Sequence, residues 1–106
     1  MDRIHEMAET FKLLGDKTRL TILGLLRERS LCVCDIVELL GMSQPAISQH
    51  LRKLRSGGLV REERRGQWMY YHLAAENVPY VLEVLRHVPS LQEMLEKQIC
   101  KTGACC

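Results

Sequence analysis

No run of apolar residues in this chain approaches the roughly 18 that a membrane span requires. The opening Met1-Asp2-Arg3-Ile4-His5-Glu6 is too polar for the core of a secretory signal. Charge of one sign is lacking too: 15 Lys and Arg stand against 13 Asp and Glu, a net of +2. Whole-chain charge therefore argues little about nucleic acid. There is no phosphate-cradling loop, no internal repeat, and no βαβ context around a Cys-x-x-Cys pair. A membrane protein, a secreted disulfide scaffold and an enzyme are the classes these absences argue against. The expectation is a cytoplasmic, non-enzymatic protein that makes no membrane contact.

At 106 residues, with 46% hydrophobic and 26% charged side chains, the chain suits one globular domain. So short a domain buries a modest core, and oligomerisation commonly supplements it. Charge is unevenly placed. From Ser43 to Trp68, Arg52, Lys53, Arg55, Arg61, Arg64 and Arg65 are opposed only by Glu62 and Glu63, a local net of +4 that leaves the rest at −2. A basic centre in a mildly acidic remainder has the form of a localised phosphate-binding face. The five cysteines are odd in number, which with no secretory signal favours free thiols, metal ligands or redox chemistry.

Periodicity predicts a mainly helical fold with a small β-hairpin. Ile4, Met7, Ala8, Phe11 and Leu14 share one helical face. Gly15 ends that helix and Asp16 caps the next, which carries Leu20, Ile22, Leu23 and Leu26. Ser30 to Cys32 reads as a connection, and Asp35 to Leu40 as a short helix stopped by Gly41. Ser43 caps a further helix, with Pro45 in its first turn, running to about Ser56 and closed by Gly57-Gly58. Leu59 to Leu73, with Arg64-Arg65-Gly66-Gln67 at its middle, reads as a hairpin with a basic tip. Helix, tight turn, helix and basic hairpin together make a winged helix-turn-helix. Asn77 to Ile99 repeats apolar residues at three and four, with Pro79 in the first turn and Pro89 kinking or interrupting it. Its stripe is longer than one small domain needs, so the first and last helices are expected to form a homodimer interface. The division expected is a DNA-binding and dimerisation domain over 1–99 and a cysteine-containing tail over 100–106.

On the Ser43 helix, Ile47, Leu51 and Leu54 form the core stripe, while Pro45, Ser48, Gln49, Arg52 and Lys53 face away. Gln can pair with adenine, Arg with guanine, and Ser or Lys with phosphate. The first turn, Ser43 and Gln44 included, offers free N–H groups to a phosphate. His50 and Arg55 flank the core stripe, suited to backbone phosphates or local packing. Arg64 and Arg65, with Gln67 at the turn, are expected to track phosphates or enter the minor groove. Trp68 and Tyr70 lie on one strand face and Tyr71 on the other, and read as packing anchors rather than base-stackers.

Leu31-Cys32-Val33-Cys34-Asp35, Ser43-Gln44-Pro45-Ala46-Ile47-Ser48-Gln49-His50-Leu51, Gly57-Gly58-Leu59-Val60, Gly66-Gln67-Trp68-Met69-Tyr70-Tyr71 and Asp16-Lys17-Thr18-Arg19-Leu20 together resemble the ArsR/SmtB family of metal-sensing repressors over roughly residues 5 to 97. The Cys-Val-Cys-Asp run resembles the arsenic/antimony and cadmium/lead branches. The resemblance implies a homodimer on double-stranded operator DNA with an inverted repeat, released when an ion binds. It implies metal-ligand roles for Cys32 and Cys34, and DNA contact for the Ser43–Lys53 helix and the wing. DNA binding itself would need no cofactor. Two departures stand out: Val37 sits where many arsenic-responsive members carry a third cysteine, and the family's last-helix Asp/His site is poorly matched by Ala75-Glu76-Asn77 and a lone His87.

Cysteines two apart stand about 200° round an ideal helix, so Cys32 and Cys34 can chelate together only from a frayed or bent helix start. Thiolates select soft ions, and As(III), Sb(III), Cd(II) and Pb(II) all suit them. Cys100, Cys105 and Cys106, on or beyond the last helix, are the available source of a further thiolate, from either subunit. The vicinal pair favours As(III) or Sb(III) as inducer, with Cd(II) or Pb(II) the alternative. Three other readings stay open: a separate tail site, small buried hydrophobes at Cys32 and Cys34, and a thiol redox sensor.

Overall fold

The computed structural model describes residues 2–76 and 78–102, with side chains described as far as residue 97. Helix α1 spans Asp2–Leu14 and α2 spans Lys17–Glu28. Between them the Asp16 carboxylate accepts from the Arg19 backbone N–H at 3.1 Å, the N-cap expected from the sequence. Leu14 is buried, as are Ile22, Leu23, Leu25 and Leu26. Gly24 sits among these on α2, where an added Cβ would stand 3.1 Å from both Val88 and Leu91. Lack of a side chain there lets the C-terminal segment close on α2.

The stretch expected as a plain connection contains a strand. Leu31–Cys32 is β1, paired antiparallel with the hairpin's second strand through Leu31↔Tyr71 and Cys32↔Tyr70. Two residues carry no readable alternation, and the pairing is decided by a strand some forty positions away. Helix α3 is Val33–Leu40, starting two residues earlier than expected and ending where Gly41 adopts φ 64°. Gly is the residue that takes this left-handed C-cap without strain.

Helix α4 is Gln44–Ser56, with Ser43 as its cap (Ala46 N–H to Oγ, 3.3 Å) and Pro45 in the first turn. It turns at Gly57-Gly58 into the hairpin of β2 (Val60–Arg65) and β3 (Trp68–Leu73), closed by Gly66-Gln67. The sheet has three strands in the order β1-β3-β2 rather than the two expected. Pro89 interrupts the last helical stretch outright, giving α5 (Pro79–Leu85) and α6 (Gln92–Thr102). Ile47, Leu51 and Leu54 of α4, Leu59 after it, Val81 and Leu85 of α5 and Leu95 of α6 complete one core with α2, and no polar residue among those described is buried.

One expectation about the wing needs correction. Tyr71, 8% exposed, anchors the hairpin, whereas Trp68 is 39% exposed. A tryptophan beside a two-residue turn has no strand beyond it to cover its ring. No helix among the described residues is long and apolar enough to cross a membrane.

Candidate DNA interface and thiol site

Helix α4 presents the expected division of faces. Ser43, Gln44, Pro45, Gln49, Arg52 and Lys53 are exposed and Ser48 is half-buried, opposite the buried Ile47, Leu51 and Leu54. The cap and the proline leave the first turn open to solvent, with the helix dipole directed at any anion there. His50 and Arg55 are engaged locally. Arg19 Nη1 lies 3.3 Å from His50 Nδ1, and the same guanidinium donates from Nε to the Leu13 carbonyl at 3.0 Å. Arg19 thereby ties the end of α1 to α2 and α4. Arg55 donates to Glu62 Oε1 at 2.7 Å, and Tyr71 donates to Glu62 Oε2 at 2.8 Å. The sequence gives little signal for these supporting roles, since Arg19 and Glu62 differ from ordinary solvated charges only in what the fold brings beside them.

The two wing arginines stand differently. Arg65 is held by Glu63 (Nη2 to Oε1, 2.9 Å) and lies over the Tyr70 ring at 4.3 Å. Hydrogen bonds from His72 and then Arg65 hold the Glu63 carboxyl below its usual range. Arg64 is exposed and makes no ion pair or hydrogen bond among the described residues. Gln67 is exposed at the turn.

At the other end of the sheet, Cys32 is the N-cap of α3, in extended conformation (φ −82°, ψ 163°), and Cys34 lies in the first helical turn. That break in helical geometry defeats the 200° separation: the two sulfurs are 3.1 Å apart. Two thiolates held at ~2.3 Å from one ion, at a right angle, stand about 3.3 Å apart. The pair therefore has nearly the span of a bidentate chelate. Cys32 is wholly buried and Cys34 half-buried, so an ion has access from the Cys34 side. Helix α3 packs against both α4 and α6. Cys100 lies on the α6 backbone, its side chain outside the described set, and Cys105 and Cys106 lie outside the described residues. No cluster of three or more Cys, His, Asp or Glu that could hold a metal occurs among the described residues. His87 is exposed, with Glu83 beside it at 4.0 Å.

A capped helix with an exposed polar face, preceded by a short packed helix and followed by a basic hairpin, defines a winged helix-turn-helix DNA-binding protein. Residues 16–62 match the family described as bacterial regulatory protein, arsR family. An uncharacterized HTH-type transcriptional regulator from Methanocaldococcus jannaschii is 40% identical over 80% of this chain and 97% of its own length. The arsenical resistance operon repressor of Escherichia coli is 48% identical over 62% of this chain, which spans only 57% of that repressor. A cadmium resistance regulatory protein CadC homolog from Staphylococcus aureus is 37% identical over 74% of this chain and 65% of its own. Among solved structures, a homodimeric winged helix-turn-helix DNA-binding domain from Mycobacterium bovis superposes with a TM-score of 0.72 at 33% identity, covering 91% of this chain and 87% of that one. This chain belongs to the arsR family of bacterial transcriptional regulators.

Proposed function

We propose that the protein is a cytoplasmic repressor that binds an inverted-repeat operator as a homodimer and leaves it when As(III) or Sb(III) is captured by Cys32 and Cys34. The observation that carries this reading is the 3.1 Å sulfur pair at the head of α3, the helix packed against α4. Closing both sulfurs on an ion fixes the start of α3, and α4 cannot keep its seat in the major groove if α3 shifts beneath it. In this reading, Ser43, Gln44, Pro45, Ser48, Gln49, Arg52 and Lys53 meet the DNA, with Arg64, Arg65 and Gln67 from the wing. His50 acts by packing on Arg19.

A pyramidal ion accepts three thiolates, and Val37 supplies none. The tail over residues 100–106 is the proposed source of the third, from Cys100, Cys105 or Cys106, on the domain formed by residues 1–99. The packing of α6 on α3 supports delivery from that direction. Cd(II) or Pb(II) is the alternative inducer, favoured by the likeness to a cadmium-resistance regulator. Release needs only that the ion prefer the DNA-free form by about 1–3 kcal/mol, which weakens operator affinity 5- to 150-fold.

The test is fluorescence anisotropy on a duplex selected by the wild-type protein from a randomised pool. A Cys32→Ser/Cys34→Ser variant is expected to bind as wild type does and to stay bound through arsenite, antimonite, cadmium and lead titrations. Normal release by that variant would falsify the assignment. The same sulfur contact also suits a redox reading, in which peroxide takes two electrons and two protons from the thiols to leave a disulfide and two waters. Release by peroxide, with none by arsenite under reducing conditions, would establish that reading instead.

A further inference from the structure

Trp68 is the only tryptophan in the chain, and it is 39% exposed at the first position of β3. The hairpin does not need it as an anchor, because Tyr71 fills that role through the Glu62 carboxylate shared with Arg55. Trp68 pairs with Arg65 across the Gly66-Gln67 turn, while Arg64 pairs with Met69. Strand alternation therefore puts Arg65, Trp68 and Tyr70 on one face of the tip and Arg64 on the other. Arg65 is already occupied by Glu63 and the Tyr70 ring. The tip thus carries a part-exposed indole on one face and, on the other, a guanidinium with no partner among the described residues.

We propose that Trp68 is a DNA-contact residue: as the wing enters the minor groove, its indole packs on the deoxyribose wall of one strand while Arg64 meets the opposite backbone. A hairpin tip entering a groove about 6 Å wide meets both walls at once, so both faces must suit their wall. Sugar C–H edges offer an apolar surface beside phosphates, which fits the flat apolar body and single N–H donor of an indole. The occupant is double-stranded DNA rather than protein because the surrounding segment, Ser43 to Trp68, is net +4. The Arg65–Glu63–Tyr70 cluster holds the tip in shape. This inference rests on the DNA-binding reading above and adds to it a residue and a groove wall.

Because Trp68 is alone of its kind, its fluorescence reports the contact without labels. Acrylamide quenching of the full-length wild type is expected to fall severalfold when the selected duplex is added. Trp68→Ala is expected to weaken binding to that duplex about tenfold, and Trp68→Phe, which keeps a ring, by about threefold or less. The slope of affinity against salt should be unchanged in Trp68→Ala, since no phosphate contact is lost. A disordered wing would lower that slope along with the affinity, because Arg64 would be lost too. Undiminished quenching on DNA, wild-type affinity in Trp68→Ala, a lowered salt slope, or a Phe variant as weak as Ala each overturns the proposal. So does protection of the indole that follows protein concentration without DNA, which would mean a second copy covers it. Failure of the wild type to bind any duplex would instead overturn the DNA-binding reading, and this inference with it.

Discussion

The Glu62 carboxylate receives Tyr71 from β3 on one oxygen and Arg55 from α4 on the other, at 2.8 and 2.7 Å. One acidic side chain therefore joins both wing strands to the C-terminal turn of the recognition helix. Burial of the phenol, and then its bond to Glu62, push the Tyr71 pKa up from 10.0 to about 12. The unfolded chain releases this proton at the lower value, so the stabilisation is complete below pH 10 and is lost as pH rises through about 12. An absorbance titration of the wild type should show a tyrosine step near pH 12 that Tyr71→Phe lacks. The variant should also lose about 1 kcal/mol of stability at neutral pH, measured by urea unfolding, as expected for one part-buried hydrogen bond. If the wild type shows no step near pH 12, the bond to Glu62 does not persist in solution.

At the scale of elements, the break between α5 and α6 is stabilised from outside itself. The Arg27 guanidinium, at the end of α2, donates to the carbonyls of Leu85, Val88 and Pro89 around the proline, and Leu85 also accepts from the Val88 backbone N–H at 3.0 Å. Its neighbour Glu28 accepts from the Leu91 backbone N–H at 3.4 Å and pairs with Arg27 at 3.1 Å. Arg27→Met keeps most of the stem and removes every donor. It should cost roughly 1–3 kcal/mol and raise amide exchange in α6 more than in α4. Uniform acceleration across both helices would show that Arg27 supports the fold at large rather than this junction.

The same elements show what a sequence does and does not disclose. Asp16, Ser43, Gly41 and Pro45 are punctuation that acts within a turn of its own position, and the structure places each boundary where those residues imply it. Pro89 marked the interruption, yet nothing near it identified Arg27, some sixty residues earlier, as the partner of the freed carbonyls. β1 was illegible for a related reason: its pairing with Tyr70 and Tyr71 is a tertiary event. At the site, the polar face of α4 was readable from periodicity alone. The meeting of Cys32 and Cys34 was not, because it depends on Cys32 staying in extended conformation while Cys34 is already helical.

At the scale of the whole molecule, and apart from Trp68 on the wing, the exposed large hydrophobic side chains among the described residues lie on α1 and α5. Ile4 and Phe11 of α1 are 64% and 45% exposed, and Leu82 of α5 is 41% exposed. Phe11 stacks obliquely on Tyr80 with ring centroids 5.5 Å apart, so α1 and α5 meet. Beside them a groove of about 710 Å³ is lined by Leu14, Leu20, Val84, Val88 and Leu91. A monomer gains nothing by leaving such residues in water, whereas a second copy applied across the same helices would cover them. Phe11→Asp places a charge on that face without opening the core. It should leave the circular dichroism spectrum intact and shift the protein to monomer in analytical ultracentrifugation. On the proposed inverted-repeat operator, affinity should then fall by more than about tenfold, since the second half-site no longer meets a protomer already held beside it. A single half-site duplex should register a much smaller loss, because one wing and one α4 suffice for it. Equal losses on full and half sites would mean the substitution had damaged the reading head itself. A variant that remained dimeric would place the interface away from α1.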